Sequence, residues 1–180
     1  MTKLILLLFS MTLFSCGQKG AGETTAPITE VKKASTTTAP SFNADSAYAY
    51  VEKQVSFGYR VPNTSAHKAC GDYLVSELKR FGAQVYEQEA TLKAYDGTPL
   101  ESRNIIGSFN PDKDKRILLF AHWDTRPYSD HDPDPANHKK PLDGADDGAS
   151  GVGALLEIAR QMGMKAPEVG VDIIFFDAED

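Results

Sequence analysis

Three stretches decide how this chain reads: Ile117-Leu118-Leu119-Phe120-Ala121-His122-Trp123-Asp124-Thr125-Arg126-Pro127, Gly144-Ala145-Asp146-Asp147-Gly148-Ala149-Ser150-Gly151 and Ile173-Ile174-Phe175-Phe176-Asp177-Ala178-Glu179-Asp180. The first and third begin as continuous apolar runs, the pattern of strands covered on both faces. Between them, Val152, Leu155, Leu156, Ile158, Ala159 and Met162 repeat at helical spacing, and Gly163 is placed to end that helix. Strand, helix, strand with buried strands predicts an α/β fold with a right-handed crossover in a mixed, mostly parallel sheet under helices. In such sheets ligand sites lie beyond the carboxyl ends of strands. His122 and the Glu179-Asp180 pair fall at those ends.

The residue types there suit a metal ion. Imidazole nitrogen and carboxylate oxygens are what zinc takes as ligands, and a spare carboxylate beside them can move protons. His122 alone could equally be structural. Asp124 follows it at the second position, on the same side of an extended chain, and can support its other ring nitrogen. Asp146 and Asp147 could simply cap the following helix, yet two carboxylates among Gly144, Gly148 and Gly151 exceed what a cap requires. Asp177, Glu179 and Asp180 form an acidic mouth whose like charges are costly unless a cation offsets them. Neighbours on a strand face opposite ways, so Glu179 and Asp180 can divide proton transfer and metal binding between them. Trp123 reads either as a core-edge residue or as one wall of a substrate pocket. His131, His138, Asp130, Asp132 and Asp134 lie in a charged, proline-rich loop that reads as solvated, with an extra cation site as the alternative.

Upstream, Asn43-Ala44-Asp45-Ser46 offers caps for a helix with an apolar stripe of Ala47, Tyr50, Val51 and Val55, closed by Gly58. Arg60-Val61-Pro62-Asn63 reads as a loop. Thr64 or Ser65 caps a second helix whose face is Ala66, Ala69, Cys70, Tyr73, Leu74, Leu78 and Phe81, before Gly82. Cys70 falls on that stripe and reads as a small core residue rather than a reactive thiol. Gln84 to Leu92 is an exposed strand, Asp96-Gly97 a turn, and Arg103 to Phe109 a second strand.

The chain of 180 residues, 41% hydrophobic, is long enough for one domain with a real core, and its net charge of −6 argues against a nucleic-acid partner. Its two cysteines, Cys16 and Cys70, cannot build a disulfide framework. Lys3 followed by Leu4 to Phe9, Met11 and Leu13-Phe14 reads as a signal segment too short to span a bilayer. Leu13-Phe14-Ser15-Cys16-Gly17 resembles the bacterial lipoprotein lipobox, which implies lipid attachment at Cys16 and a place in the bacterial cell envelope, on the periplasmic side or facing the surface. An ordinary secretory signal with a chance cysteine is the other reading. Residues 17–41 are small, polar and proline-containing, the composition of a flexible tether, and the folded part is expected over 42–180.

Taken together, Arg60-Val61-Pro62, Asn104-Ile105-Ile106-Gly107, Phe120 to Pro127, Gly144 to Gly151 and Phe175 to Asp180 resemble the M28 zinc peptidase superfamily. Within it they look most like the bacterial, animal-type glutaminyl-peptide cyclotransferases. The resemblance covers residues 45–180. It implies an α/β/α sandwich around a mixed sheet, of which this chain holds the N-terminal half. It implies one zinc in a cyclase, with Asp147 and Asp180 as ligands and a further His ligand downstream, and Glu179 as the catalytic acid and base. His122 matches the position that binds a second zinc in the two-zinc aminopeptidases. The implied substrate is a peptide or protein with an N-terminal glutamine; the alternative is aminopeptidase hydrolysis. The same resemblance implies that these 180 residues alone are inactive and unstable, with Val171–Phe176 as an open sheet edge.

Overall fold

The computed structural model describes residues 39–180; the signal segment, Cys16 and nearly all of the tether lie outside the described residues. Helix α1 (Ala44–Val55) starts where the Asn43 side chain accepts the Ser46 amide at 2.9 Å. Helix α2 (Ser65–Arg80) starts likewise at Thr64, whose hydroxyl oxygen accepts the His67 amide at 3.1 Å. Each cap satisfies an amide that a helix leaves unpaired. The buried stripe of α2 is rotated from the one its pattern suggests: His67, Gly71 and Val75 are inside with Cys70, Leu74 and Leu78, whereas Ala69 is exposed. Cys70 is a buried free thiol, as its place on the stripe indicates.

Strands β1 (Gln84–Lys93) and β2 (Pro99–Phe109) form an antiparallel hairpin. β2 begins at Pro99 rather than Arg103, because pairing with β1 keeps the short Leu100-Glu101-Ser102 segment extended without an apolar alternation to announce it. Strand β3 (Arg116–His122), a 3₁₀ turn at Pro135–Asn137, helix α3 (Ala149–Met164) and strand β4 (Gly170–Phe176) complete the chain. α3 runs through Gly163 to Met164, so that glycine does not end it. An interior glycine costs a helix only about 1 kcal/mol, which the packing of α3 offsets.

The sheet order is β1-β2-β4-β3. β2 pairs β4 antiparallel and β3 pairs β4 parallel. The sheet is mixed, as expected, but among the described residues only the β3–β4 pairing is parallel. β4 is paired on both sides, and among the described residues the sheet edges are β1 and β3, which corrects the expectation of an open edge at Val171–Phe176. An apolar run reports burial and leaves strand order open.

Ile105 and Phe109 of β2 and Val171, Ile173 and Phe175 of β4 share one face and pack with Leu74, Leu78, Val152, Leu156 and Ala159 of the helices. Burying each such side chain contributes roughly 1.5–3 kcal/mol. α1 lies on α3, held by the buried Gln54, whose amide donates to the Ala149 carbonyl at 3.1 Å and the Tyr50 carbonyl at 3.0 Å. The opposite sheet face is different. Tyr86, Ile106, Ile174 and Phe120 form one register row across all four strands, with Leu118 and Phe176 beside it. Phe120 is 64% exposed and Leu118 54%. The described residues therefore supply one helical layer of the expected sandwich, and β3 is not covered on both faces. Arg116, Asp172 and Ser108 form the polar part of this face, with Arg116 Nε 2.7 Å from Asp172 Oδ2.

An apolar row of this kind promotes association. The 180-residue chain is expected to bind an apolar-surface dye and to self-associate in light scattering. The double variant Phe120→Lys/Phe176→Lys should reduce both; equal dye binding by wild type and variant would contradict the exposure seen here.

Candidate metal centre

The site is assembled where β3 and β4 end side by side. The parallel ladder continues one step past β3, since the Trp123 amide donates to the Phe176 carbonyl at 3.0 Å. His122 is the last residue of β3. Asp124, fully buried, then points across to the end of β4: its Oδ1 accepts the Glu179 amide at 3.2 Å and its Oδ2 the Asp180 amide at 3.1 Å. Glu179 and Asp180 are thus not strand residues. The chain turns first, at Asp177 and at Ala178, which has a left-handed φ of 57°. The expectation that an alternating strand divides their roles is replaced by a turn that Asp124 fixes through two backbone amides.

His122 donates from Nε2 to Asp147 Oδ1 at 2.9 Å. Its Nδ1 is buried without a hydrogen-bond partner, 3.4 Å from Asp124 Oδ1. Asp147 reaches His122 instead of capping α3. The helix cap is Gly148, with φ 90° and no side-chain bond. A Cβ on Gly148 would lie 3.1 Å from both the Asp124 and His122 carbonyls, so this position needs both a left-handed backbone and the absence of a side chain. Asp146 is exposed; the residues whose ligand atoms come together include neither it nor Asp147, which joins the site through its bond to His122.

Charge in the cluster is unbalanced. The Asp124 carboxylate, followed by Asp147, holds the His122 imidazole up to about 9. Burial, then the like charges of Asp147 and Asp124, push Asp180 up to about 6, with Arg126 at 3.6 Å opposing them. His122, Asp124 and Asp180 offer ligand atoms within 4.8 Å of one another. A buried imidazole nitrogen without a partner, beside carboxylates that repel one another, is the donor set a divalent cation such as zinc fits.

Of the two readings of Trp123 the buried one fits, and the expectation for Asp177 changes. Trp123 is fully buried and does not wall a pocket. Its ring stacks on His67 at 4.2 Å between centroids, and its indole N–H points to the Arg103 carbonyl at 3.3 Å. Asp177 turns into the core rather than joining the acidic mouth. It accepts from His67 Nε2 at 2.8 Å and from the Arg103 amide at 2.6 Å. Burial of the one and the hydrogen bonds of the other decide these directions. The sequence pattern did not single out His67, whose only signal is its place on the α2 stripe. In the 127–143 loop, His138 bonds the Asp132 carbonyl at 2.8 Å and Asp134 caps the 3₁₀ turn, a local network of its own.

Ligands must be deprotonated to hold a metal. Zinc affinity is therefore expected to rise between pH 5 and 7 as Asp180, at about 6, ionises. If the ion also engages His122, binding at pH 7 releases the imidazole proton and affinity climbs further towards pH 9. Calorimetric titration in two buffers of different ionisation enthalpy reads both effects. An affinity independent of pH over this range would remove both residues from the ligand set.

Comparison with known proteins agrees with this geometry. Residues 104–180 match the model of Peptidase family M28. The chain is 79% identical to a Zn-dependent exopeptidase from Parabacteroides distasonis, with TM-score 0.78, over 78% of this chain and 48% of that one. It is 68% identical to the glutaminyl cyclase of Tannerella forsythia, with the same TM-score and the same coverage. Among curated proteins, aminopeptidase YwaD of Bacillus subtilis is 32% identical over 123 residues, 66% of this chain and 24% of that protein. The chain thus spans about half the length of the solved structures and less of the curated relative. The mixed sheet, its strand-end cluster and these matches make the chain similar to Peptidase family M28 over residues 104–180, and to bacterial glutaminyl cyclases and zinc-dependent exopeptidases over its described part.

Proposed function

We propose that the whole protein is a zinc-dependent glutaminyl-peptide cyclotransferase, converting the N-terminal glutamine of peptides to pyroglutamate with release of ammonia. The observation that carries this reading is the 68% identity with the Tannerella forsythia glutaminyl cyclase. Asp147 and Asp180 are the carboxylates that would hold zinc, with His122 beside them. Bound there, the ion supplies a Lewis acid for the γ-amide carbonyl. The chain's own part is proton movement and alignment. Glu179 is exposed at the turn, and its amide is fixed on Asp124. Its carboxylate takes a proton from the attacking α-amine and passes it to the departing ammonia, so the γ C–N bond breaks as the ring closes. Asp124 holds this turn against the end of β3.

A zinc aminopeptidase is the second reading, supported by the Parabacteroides distasonis exopeptidase. There Glu179 would instead activate water to cleave the first peptide bond, and His122 would hold a second zinc. Attachment to a bacterial membrane through lipid on Cys16 belongs to the same proposal. Lipid-precursor labelling of wild type but not Cys16→Ala is the expected result, and an unlabelled wild type overturns it.

The full-length protein, incubated with a Gln-initiated peptide, should release one ammonia and shorten the peptide mass by that amount. Glu179→Gln should lower kcat about 10²–10⁴-fold, and a chelator should abolish turnover. Release of free glutamine or of other N-terminal residues would establish the aminopeptidase reading instead.

A further inference from the structure

The Arg60-Val61-Pro62 segment carries no part of the chemistry above, yet Arg60 is fully buried. It lies in the loop between α1 and α2, remote in sequence from both halves of the metal centre. Among the described residues its guanidinium makes no ion pair and is spent on backbone carbonyls. Nε donates to the Trp123 carbonyl at 3.1 Å, Nη2 to the Gly144 carbonyl at 2.9 Å and Nη1 to the Gly58 carbonyl at 3.4 Å. Its own carbonyl accepts the Thr125 amide at 3.2 Å. Trp123 stands between His122 and Asp124, and Gly144 opens the loop that leads to Asp147.

We infer that Arg60 is a positioning residue that clamps the His122–Asp124 segment to the Asp147 loop and so sets the spacing of the metal's ligands. This rests on the metal-site reading of those residues. The alternative tie between the two segments is the His122–Asp147 bond itself, whose carboxylate is 62% exposed and open to competition from water. A buried planar fork is better suited, because one rigid group addresses two diverging carbonyls; an ammonium is a point donor and cannot span both. Burying a charge without a carboxylate partner is expensive, and satisfied carbonyls on both loops are what it achieves here. Gly144 shows how tight the junction is. Its φ is 59°, and a Cβ there would meet the Thr125 methyl, the Asp147 carbonyl at 2.7 Å and Arg60 Nη2 at 2.9 Å. Three segments converge at a point that tolerates no side chain.

The test uses full-length protein, with zinc affinity and the visible spectrum of the cobalt-loaded form as readouts. Arg60→Lys should weaken zinc binding about 10–100-fold and alter the cobalt bands, which report ligand geometry. Leu78→Ala, a core change on α2 apart from these loops, should lower Tm while leaving both readouts as in wild type. Should Arg60→Lys fail to fold, Gly144→Ala presses on the same junction with Arg60 intact and should show the same losses. Unchanged affinity and spectrum in the folded variant would overturn the inference, as would equal losses in Leu78→Ala. A wild-type protein that binds neither zinc nor cobalt would overturn the metal-site reading itself and the inference with it.

Discussion

The buried carboxylate of Asp124 is the joint on which the site depends. It is fully enclosed, faces the Nδ1 edge of His122 and accepts the amides of Glu179 and Asp180. Hydrogen bonds from backbone amides to a carboxylate are stronger than neutral ones, and losing such a partner would leave two inward amides unsatisfied. The parallel β3–β4 pairing brings the two strand ends together, but pairing stops at Trp123 and Phe176. Beyond that point Asp124 does what the ladder no longer does, and the acidic turn keeps its place because of it.

Around this joint the structure divides its ionisable groups into two kinds. Asp124 and Asp177 are enclosed and spent on amides and His67, so they shape the backbone. Asp147, Glu179 and Asp180 keep part of their surface open, and their charges are only partly answered by His122 and Arg126. A protein that needed only a stable strand end would not gather the second kind in one place. The separation of a satisfied inner set from a frustrated outer set is an electrostatic pattern that a bound cation would balance.

Much of this was legible in the chain. The apolar runs located β3 and β4, the periodicity located α3, and glycines around Asp147 marked an unusual backbone. The direction of the side chains beyond the strands was not legible. Asp177 read as a mouth residue and Trp123 was open between core edge and pocket wall; both turn inward onto His67 of α2, and no local pattern announces a buried histidine partner. Arg60 reads as any loop arginine until the carbonyls of Trp123 and Gly144 are seen to converge on it. The coverage of β3 was misjudged for a related reason: apolar content is a property of a strand, whereas its neighbours and the layers above it belong to the whole sheet. Metal chemistry was readable because its donors must be particular atoms; strand order was not, because many orders satisfy the same burial.

The stacking of Trp123 on His67 has an optical consequence. Trp123 is the chain's one tryptophan, so its indole is the sole source of red-edge ultraviolet emission. It is sequestered from water, lies flat against an imidazole that can accept excited-state electron density, and is covalently flanked by His122 and Asp124. Emission from these 180 residues is therefore a local signal and not an average over many indoles. Intensity and colour report whether the floor beneath the metal centre is closed, and any event that loosens that floor writes itself into the light the protein emits.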